Sequence, residues 1–334
     1  MSYWFYENGN EGDIAVSTRV RLARNINSVP FPSRMTDSMR EDVNNRVKEA
    51  IANSNTPFAK SLRYIAMKDI PENERYSMVE RHIISPEFVS NCDNKAIIIS
   101  EDESISVMIG EEDHIRIQVI CSGLQLEKAY DTAERLDTLL CDSLDIAFDE
   151  NLGFLTECPT NLGTGLRASL MLHLPVLEGA GEIKNLAQAV EKIGFTVRGM
   201  YGEGSTATAS FYQLSNQITL GISEKDAIDN LKTIATQFIE KERAMRGALN
   251  GIKTEDMCFR ALGTLKNSRI LSSEEMMKLL SRVKLGISMG IIDENINPVK
   301  LLIEGQPYML MSRFGNMSPD ERDIKRASIM RENL

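Results

Sequence analysis

The chain has 334 residues, 42% hydrophobic and 26% charged, an ordinary globular mixture long enough for roughly two domains. Its 48 acidic residues against 38 Lys and Arg leave a formal charge of −10, which speaks against a general nucleic-acid binder. No apolar run reaches the ~18 residues of a membrane span. The opening MSYWFYENGNEGD lacks a basic leader and an apolar h-region, so no secretory signal is expected, and an odd cysteine count without C-x-x-C points to a reducing cytoplasm.

In chain order, IAVSTRVRLARN reads as a strand, followed by a loop bounded by Pro30 and Pro32 and a helix from Asp37 to about Ala52. KAIIIS, SISVMIG and HIRIQVICS are short β-branched runs separated by acidic or glycine turns, which predicts successive antiparallel strands. LQLEKAYDTAERLDTLLCDSL places Leu126, Tyr130, Ala133, Leu136 and Leu140 at helical spacing. GFLT, ASLMLHLP, FTVRGMY and SFYQLSNQIT are further strand candidates, with a helix from about Glu182 to Ile193. After Ser223 the pattern turns helical: one long segment to about Asn250, then shorter ones near 255–266, 273–285, 298–304 and 319–332. The expected division is 1–222, an α+β unit with an antiparallel sheet flanked by helices, and 223–334, a small all-α unit. The crossovers are too short for a doubly wound parallel sheet.

The five cysteines, at 92, 121, 141, 158 and 258, form no C-x-x-C pair, and H-E-x-x-H is absent. Neither a disulfide framework nor a zinc hydrolase is expected, and no metal-ligand set is assigned. Arg19 and Arg21 share one face of their strand, where two guanidinium forks suit a polyphosphate, although spacing alone favours a solvated basic edge strand. If the strand begins at Glu112, then Glu112, His114, Arg116 and Gln118 form a polar row opposite Ile115, Ile117 and Val119. TECPTNLGTGLRAS is a turn-rich loop with one thiol, Cys158, leading into a strand carrying Arg167. Arg198 closes another strand, and Gly202, Glu203 and Gly204 read as a flap delivering a carboxylate or as an ordinary hairpin loop. No Walker A motif and no H-R-D or D-F-G element is present.

Together STRVRLARN, EEDHIR, CPTNLGTGLRAS, VRG with GEG, and SNQITLG, in this order over residues 13–221, resemble the phosphagen (guanidino) kinases. The resemblance is closest to the bacterial protein arginine kinases of the McsB type. Only 16 residues precede STRVR, where metabolite kinases carry a small helical domain. Met171 replaces a family histidine, and Arg322-Asp323-Ile324-Lys325-Arg326-Ala327 resembles that branch's phosphoarginine-binding R-D-x-x-R-A motif.

The resemblance implies transfer of the ATP γ-phosphoryl group to arginine guanidinium groups of proteins, marking them in a bacterial stress response. The alternatives are a kinase of free arginine or another guanidino metabolite, and a catalytically silent phosphoarginine-binding adaptor. It assigns Arg19, Arg21, Arg116, Arg167 and Arg198 to the nucleotide phosphates, with Mg²⁺ held mainly by the nucleotide. Ser17, Thr18, Val20, Ala168, Ser169, Leu170, Met171, Gly199, Met200, Tyr201, Gly202 and Glu203 fall in the matching nucleotide segments, and His82 aligns beside the adenine. Glu112 is the expected base, Glu203 the clamp from the flap, and Cys158 a tuning thiol. Glu111 would assist, although on a regular strand it faces away. Arg322, Asp323, Arg326 and Ala327 would read phosphoarginine. Expected partners are basic, arginine-containing proteins, an activator protein and protease-chaperone machinery, with no nucleic acid and no membrane. A homodimer is expected through the Met- and Leu-rich helical unit (Met276, Met277, Leu279, Leu280).

Overall fold

The computed structural model describes residues 3–54, 56–200, 209–249 and 251–334. One eight-stranded sheet organises the first two-thirds of the chain. Its strands are β1 (Ala15–Arg24), β2 (Leu62–Ala66), β3 (Ala96–Ser100), β4 (Ile105–Ile109) and β5 (Ile115–Ser122), then β8 (Leu166–His173), β9 (Phe195–Gly199) and β10 (Phe211–Asn216). The order is β2-β3-β4-β5-β1-β8-β10-β9, and every neighbouring pair is antiparallel. GFLT contributes only Gly153–Phe154 (β7), paired with Phe148–Asp149 (β6) as a separate two-residue hairpin. The edge strand β2 has no counterpart in the sequence reading, because LRYIA is half exposed and carries no clean alternation.

One face of the sheet is a continuous apolar core. Val20 and Leu22 of β1, Ile115, Ile117 and Val119 of β5, and Leu166, Ala168 and Leu170 of β8 point into it. Against them pack helix Asp37–Ala52 through Val43 and Val47, and helix Leu126–Ser143 through Leu126, Ala133, Leu136 and Leu140. Thr36 starts the first of these helices by accepting the Met39 N–H, supplying an acceptor for one of the unpaired donors of the helix end. Tyr130 is only half-buried and gives its hydroxyl to Glu224 at 2.6 Å. The long helix Glu224–Gly247, read as the start of the second unit, lays Ala227, Leu231, Ala235 and Phe238 on this same core.

The opposite face is covered at both ends and open between them. Met67, Met78, Ile83 and Phe88 cover Ile97, Ile99 and Met108 at one end. At the other end Val16, Ile120, Met171 and Phe211 meet the helical unit and the N-terminal Trp4 and Phe5. Met276, Met277, Leu279 and Leu280 are all buried in that helical unit. They form its core. No helix among the described residues is long and apolar enough to cross a membrane.

Candidate active site

The open part of the sheet face collects the arginines. Arg19 and Arg21 alternate with the core-facing Val20 and Leu22 on β1. Arg21 stands opposite Gln118 of β5 and Arg167 of β8, Arg116 stands opposite Ala23, and Arg198 of β9 opposite Gln213 of β10. The Arg19 side chain donates to Gln213 Oε1 at 3.0 Å. Its other surroundings are cationic: burial, then Arg167 and Arg116, push it down to about 10. Burial and Arg19, Arg116 and Arg167 hold Arg21 well below its ordinary value. Guanidinium groups keep their charge at neutral pH regardless. The cluster is therefore a site of strong positive potential.

Two cavities meet on these arginines. One, of about 290 Å³, runs from Arg19 and Gln118 to His82, Val79 and Met200. The next, of about 610 Å³, is lined by Arg21, Arg116, Arg167 and Arg198 together with Glu112 and Cys158. A third, of about 970 Å³, opens beyond Glu111, Glu112 and Cys158.

The carboxylates lie in the turn before β5, not on the strand. Arg116 donates to Glu111 Oε1 at 2.6 Å and to Glu112 Oε2 at 2.9 Å. Glu111 is 5% exposed and also accepts from Ser85; Glu112 is 43% exposed. Both acids thus reach the same guanidinium, which corrects the expectation that Glu111 faces away: strand alternation does not apply in a turn. Glu112 Oε2 lies 3.4 Å from Asn161 Nδ2, and Oε1 has no hydrogen bond to a described residue. His114 also leaves the expected polar row. It is buried, accepts the Ile26 N–H at Nδ1 (3.0 Å) and donates from Nε2 to the Pro30 carbonyl at 2.8 Å, so it pins the proline loop.

The Cys158 loop is held by its neighbours. The thiol lies 3.0 Å from Thr160 Oγ1. A Cβ on Gly163 (φ +109°) would sit 2.2 Å from the Thr219 carbonyl, and one on Gly165 (φ +63°) 2.6 Å from that of Ala23. These glycines permit close approach of backbone to backbone. Thr219 Oγ1 donates to the Leu162 carbonyl at 2.7 Å, and Asn216 bridges Ala168 N and the Leu166 carbonyl. The SNQIT segment thereby fixes both the loop and the start of β8.

A profile of the ATP:guanido phosphotransferase C-terminal catalytic domain matches residues 42–245. The chain belongs to this family. A profile of the protein-arginine kinase McsB C-terminal domain matches residues 251–334. The chain is 44% identical to the protein-arginine kinase of Halothermothrix orenii, covering 100% of this chain and 97% of that one. It is 43% identical to that of Brevibacillus brevis, over 100% and 95%. Among solved structures the fold is similar to lombricine kinase (TM-score 0.64, 22% identity, 73% of this chain and 70% of that one). It is also similar to the duplicated taurocyamine kinase of Schistosoma mansoni with bound transition-state analogue components (TM-score 0.62, 25% identity, 93% and 41%). The antiparallel sheet flanked by helices is thus the guanidino kinase fold.

Within this guanidino kinase frame, other expected residues fall in different places. His82 and Met200 line the smallest cavity. His82 has φ +62°, and Gln118 Nε2 donates to its carbonyl at 2.9 Å. The side chains of Val20, Ala168 and Leu170 point into the core, away from the arginine face. Thr18 is likewise buried, donating to the Gly123 carbonyl at 2.7 Å. Ser17 and Ser169 are buried, Met171 packs under the helical unit, and Gly199 pairs with Tyr212. A contiguous motif cannot line one cavity, because its alternate residues face opposite ways. Tyr201, Gly202 and Glu203 lie outside the described residues. Gln118 stood in the expected polar row without a role; Gln213, Asn161, Asn216 and Ser85 were missed, and of these only Asn161 and Asn216 lie in the matching segments.

The R-D-x-x-R-A segment sits on helix Pro319–Asn333. Arg326 is 1% exposed and donates to the Gly305 carbonyl at 2.7 Å and the Leu271 carbonyl at 2.8 Å, and it pairs with Asp323. Ala327 is buried beside it, and Arg322 and Asp323 are half-buried. Reading phosphate with Arg326 would strip two carbonyls of their donor at about 1–3 kcal/mol each. In this structure Arg326 and Ala327 help hold the helical unit together.

Proposed function

We propose that the chain transfers the γ-phosphoryl group of ATP to a guanidinium nitrogen of arginine residues in proteins. The single observation that carries this is the cavity lined by four arginines together with Glu112 and Cys158. ATP lies with its base toward His82 and Met200 and its phosphates against Arg19, Arg21, Arg116, Arg167 and Arg198. Mg²⁺ enters as part of the nucleotide substrate; among the described residues no three His, Cys, Asp or Glu gather as a metal site.

Phosphoryl transfer needs positioning and charge stabilisation more than covalent help. The arginines stabilise the γ-phosphoryl oxygens and the departing ADP. The acceptor guanidinium stays protonated until a base removes a proton, because its pKa exceeds ~12. Glu112 is that base: it is accessible, its Oε1 is available, and it already binds a guanidinium, that of Arg116. The N–P bond forms as the bond from phosphorus to the ADP oxygen breaks, and the proton passes to Glu112. Glu111, buried and tied to Ser85, keeps Arg116 in place. Glu203 clamps the acceptor from the flap, and Cys158 tunes the pocket beside it.

We place the division between units near Asn250, where the two family profiles meet and after the helix that packs on the sheet. Marking of proteins in a bacterial stress response, an activator and protease-chaperone partners in the cytoplasm, phosphoarginine regulation of the helical unit, and a homodimer belong to the same proposal. For the dimer, exposed Ile252 and Phe259, seven apart on helix Gly251–Asn267, supply an apolar stripe.

The test is mass spectrometry for acid-labile phosphate after incubation with Mg·ATP and either an arginine-rich protein or free arginine. Phosphoarginine on the protein alone is expected. Glu112→Gln should cut the rate by about 10³-fold or more while nucleotide affinity holds. Undiminished transfer by this variant removes Glu112 as base, and phosphorylated free arginine as the main product replaces the reading with a metabolite kinase.

A further inference from the structure

The sheet alone does not build the far end of the nucleotide cavity. Val79 and His82 line the smallest cavity, and only Glu80 and Arg81 stand between them in the chain. Both of these reach the helical unit instead. The Glu80 carboxylate accepts the Tyr308 N–H at 3.0 Å and the Met309 N–H at 2.7 Å. These are two of the donors that open helix Pro307–Phe314 and lack a partner within it. A carboxylate at the end of helix Glu72–Glu80 therefore closes the start of a helix in the other unit. Arg81 donates to Met309 Sδ at 3.4 Å, and ion pairs with Glu74 and Glu103 hold it there.

The same two helices touch along their length. Tyr76 and Tyr308 stack, with ring centroids 4.6 Å apart and planes 22° from parallel. Ser312 donates to Glu74, and Asn73 donates to Asn316 at 2.6 Å. The carbonyls that follow Glu80 are held as well. Trp4 Nε1 donates to that of Arg81 at 3.1 Å, and Gln118 Nε2 donates to those of His82 and Ile83 at 2.9 and 2.8 Å. The turn is thus gripped by the sheet, by the N-terminal segment and by the helical unit. His82 stands in it with φ +62°, a conformation that persists where the surroundings impose it.

We propose that Glu80 is a positioning residue for the nucleotide: it ties the last turn of helix Glu72–Glu80 to the helical unit and so keeps Val79 and His82 at the base end of the cavity. The inference rests on the reading that places the base of ATP at His82. It adds that the helical unit, which supplies none of the residues lining that cavity among the described ones, governs its affinity for the base. A ligand that needs the turn in place loses apparent affinity by the fraction of molecules that hold it there. The phosphate arginines lie on β1, β5, β8 and β9 and not on this turn, so a ligand without a base should not sense the loss.

The test titrates the full chain with ADP and with pyrophosphate, which share two phosphates and differ in the nucleoside. The parent should bind ADP more tightly than pyrophosphate. Glu80→Ala should weaken ADP by about tenfold, the result of a turn in place roughly a tenth of the time, and leave pyrophosphate within about twofold. The KM for ATP should rise with the Kd for ADP, and kcat at saturating ATP should hold. Glu80→Gln keeps an oxygen for the two N–H groups and should restore most of the ADP affinity. Tyr308→Ala removes the stack from the other unit and leaves the backbone donors; it should weaken ADP and spare pyrophosphate, and it carries the test if Glu80→Ala does not fold. Equal loss for the two ligands, or unchanged ADP affinity in these variants, overturns Glu80 as a positioning residue and leaves the kinase reading standing. A parent that binds ADP no better than pyrophosphate overturns the placement of the base at His82 and the inference with it.

Discussion

The arginines of this molecule are held in two opposite ways. In the helical unit and under the Cys158 loop, arginines are buried and satisfied. Arg326 has two carbonyls and Asp323, while Arg24 has Asp137 at 2.7 and 2.9 Å, Glu224, and the Ala23 and Thr164 carbonyls. On the open sheet face Arg19 and Arg21 are pressed against Arg116 and Arg167, whose charges act against their own. A satisfied arginine is scaffold. An arginine set among arginines weakens the fold and is complementary to an anion, so it marks the site.

The comparison breaks if the two kinds behave alike on substitution. Arg21→Met should lower kcat/KM for ATP on the order of 10³-fold, as expected for one electrostatic contact to a phosphoryl group. Its melting temperature should stay level or rise, because a like-charge contact is removed. A variant as active as the parent, or clearly less stable, would place Arg21 with the scaffold. Arg326→Met should do the reverse, costing about 3 kcal/mol of unfolding free energy by urea titration, since two carbonyls and Asp323 lose a buried donor. An unchanged midpoint would show that Arg326 is not a structural tie.

The smallest effect sharpens the same contrast through pH. Burial, and then Arg19, push His82 down to about 3 from its usual 6.5. The folded form therefore binds fewer protons than the unfolded chain between those values. His82 favours the fold above pH 6.5 and loses that contribution as pH falls toward 3. His82→Asn suits the left-handed backbone at this position and removes the titration. Its melting temperature should fall less steeply than the parent's between pH 6.5 and pH 5, and parallel curves would mean that His82 is not desolvated in the fold.

Much of the sheet was legible because its signals are local. The β-branched runs gave β3, β4 and β5, the apolar spacing gave helix Leu126–Ser143, and alternation put Arg19 and Arg21 on one face. The motif segments also carried the family, and with it the arginines that gather on the open sheet face. Other features depended on contacts that local pattern does not encode. His114 and Arg326 resemble ligand groups in sequence, yet each is enclosed by carbonyls from distant segments, Pro30 for one, Gly305 and Leu271 for the other. Glu111 joins Glu112 on Arg116 because a turn replaces the strand expected there. The helix Glu224–Gly247 was read as the start of a new unit, yet its apolar stripe fits the sheet already formed. Composition and periodicity thus determined which segments are strands, which are helices and which residue types the chemistry has at hand. Only the tertiary structure decided which arginines face a cavity and which face a carbonyl, because that depends on which distant backbone groups are left needing a donor.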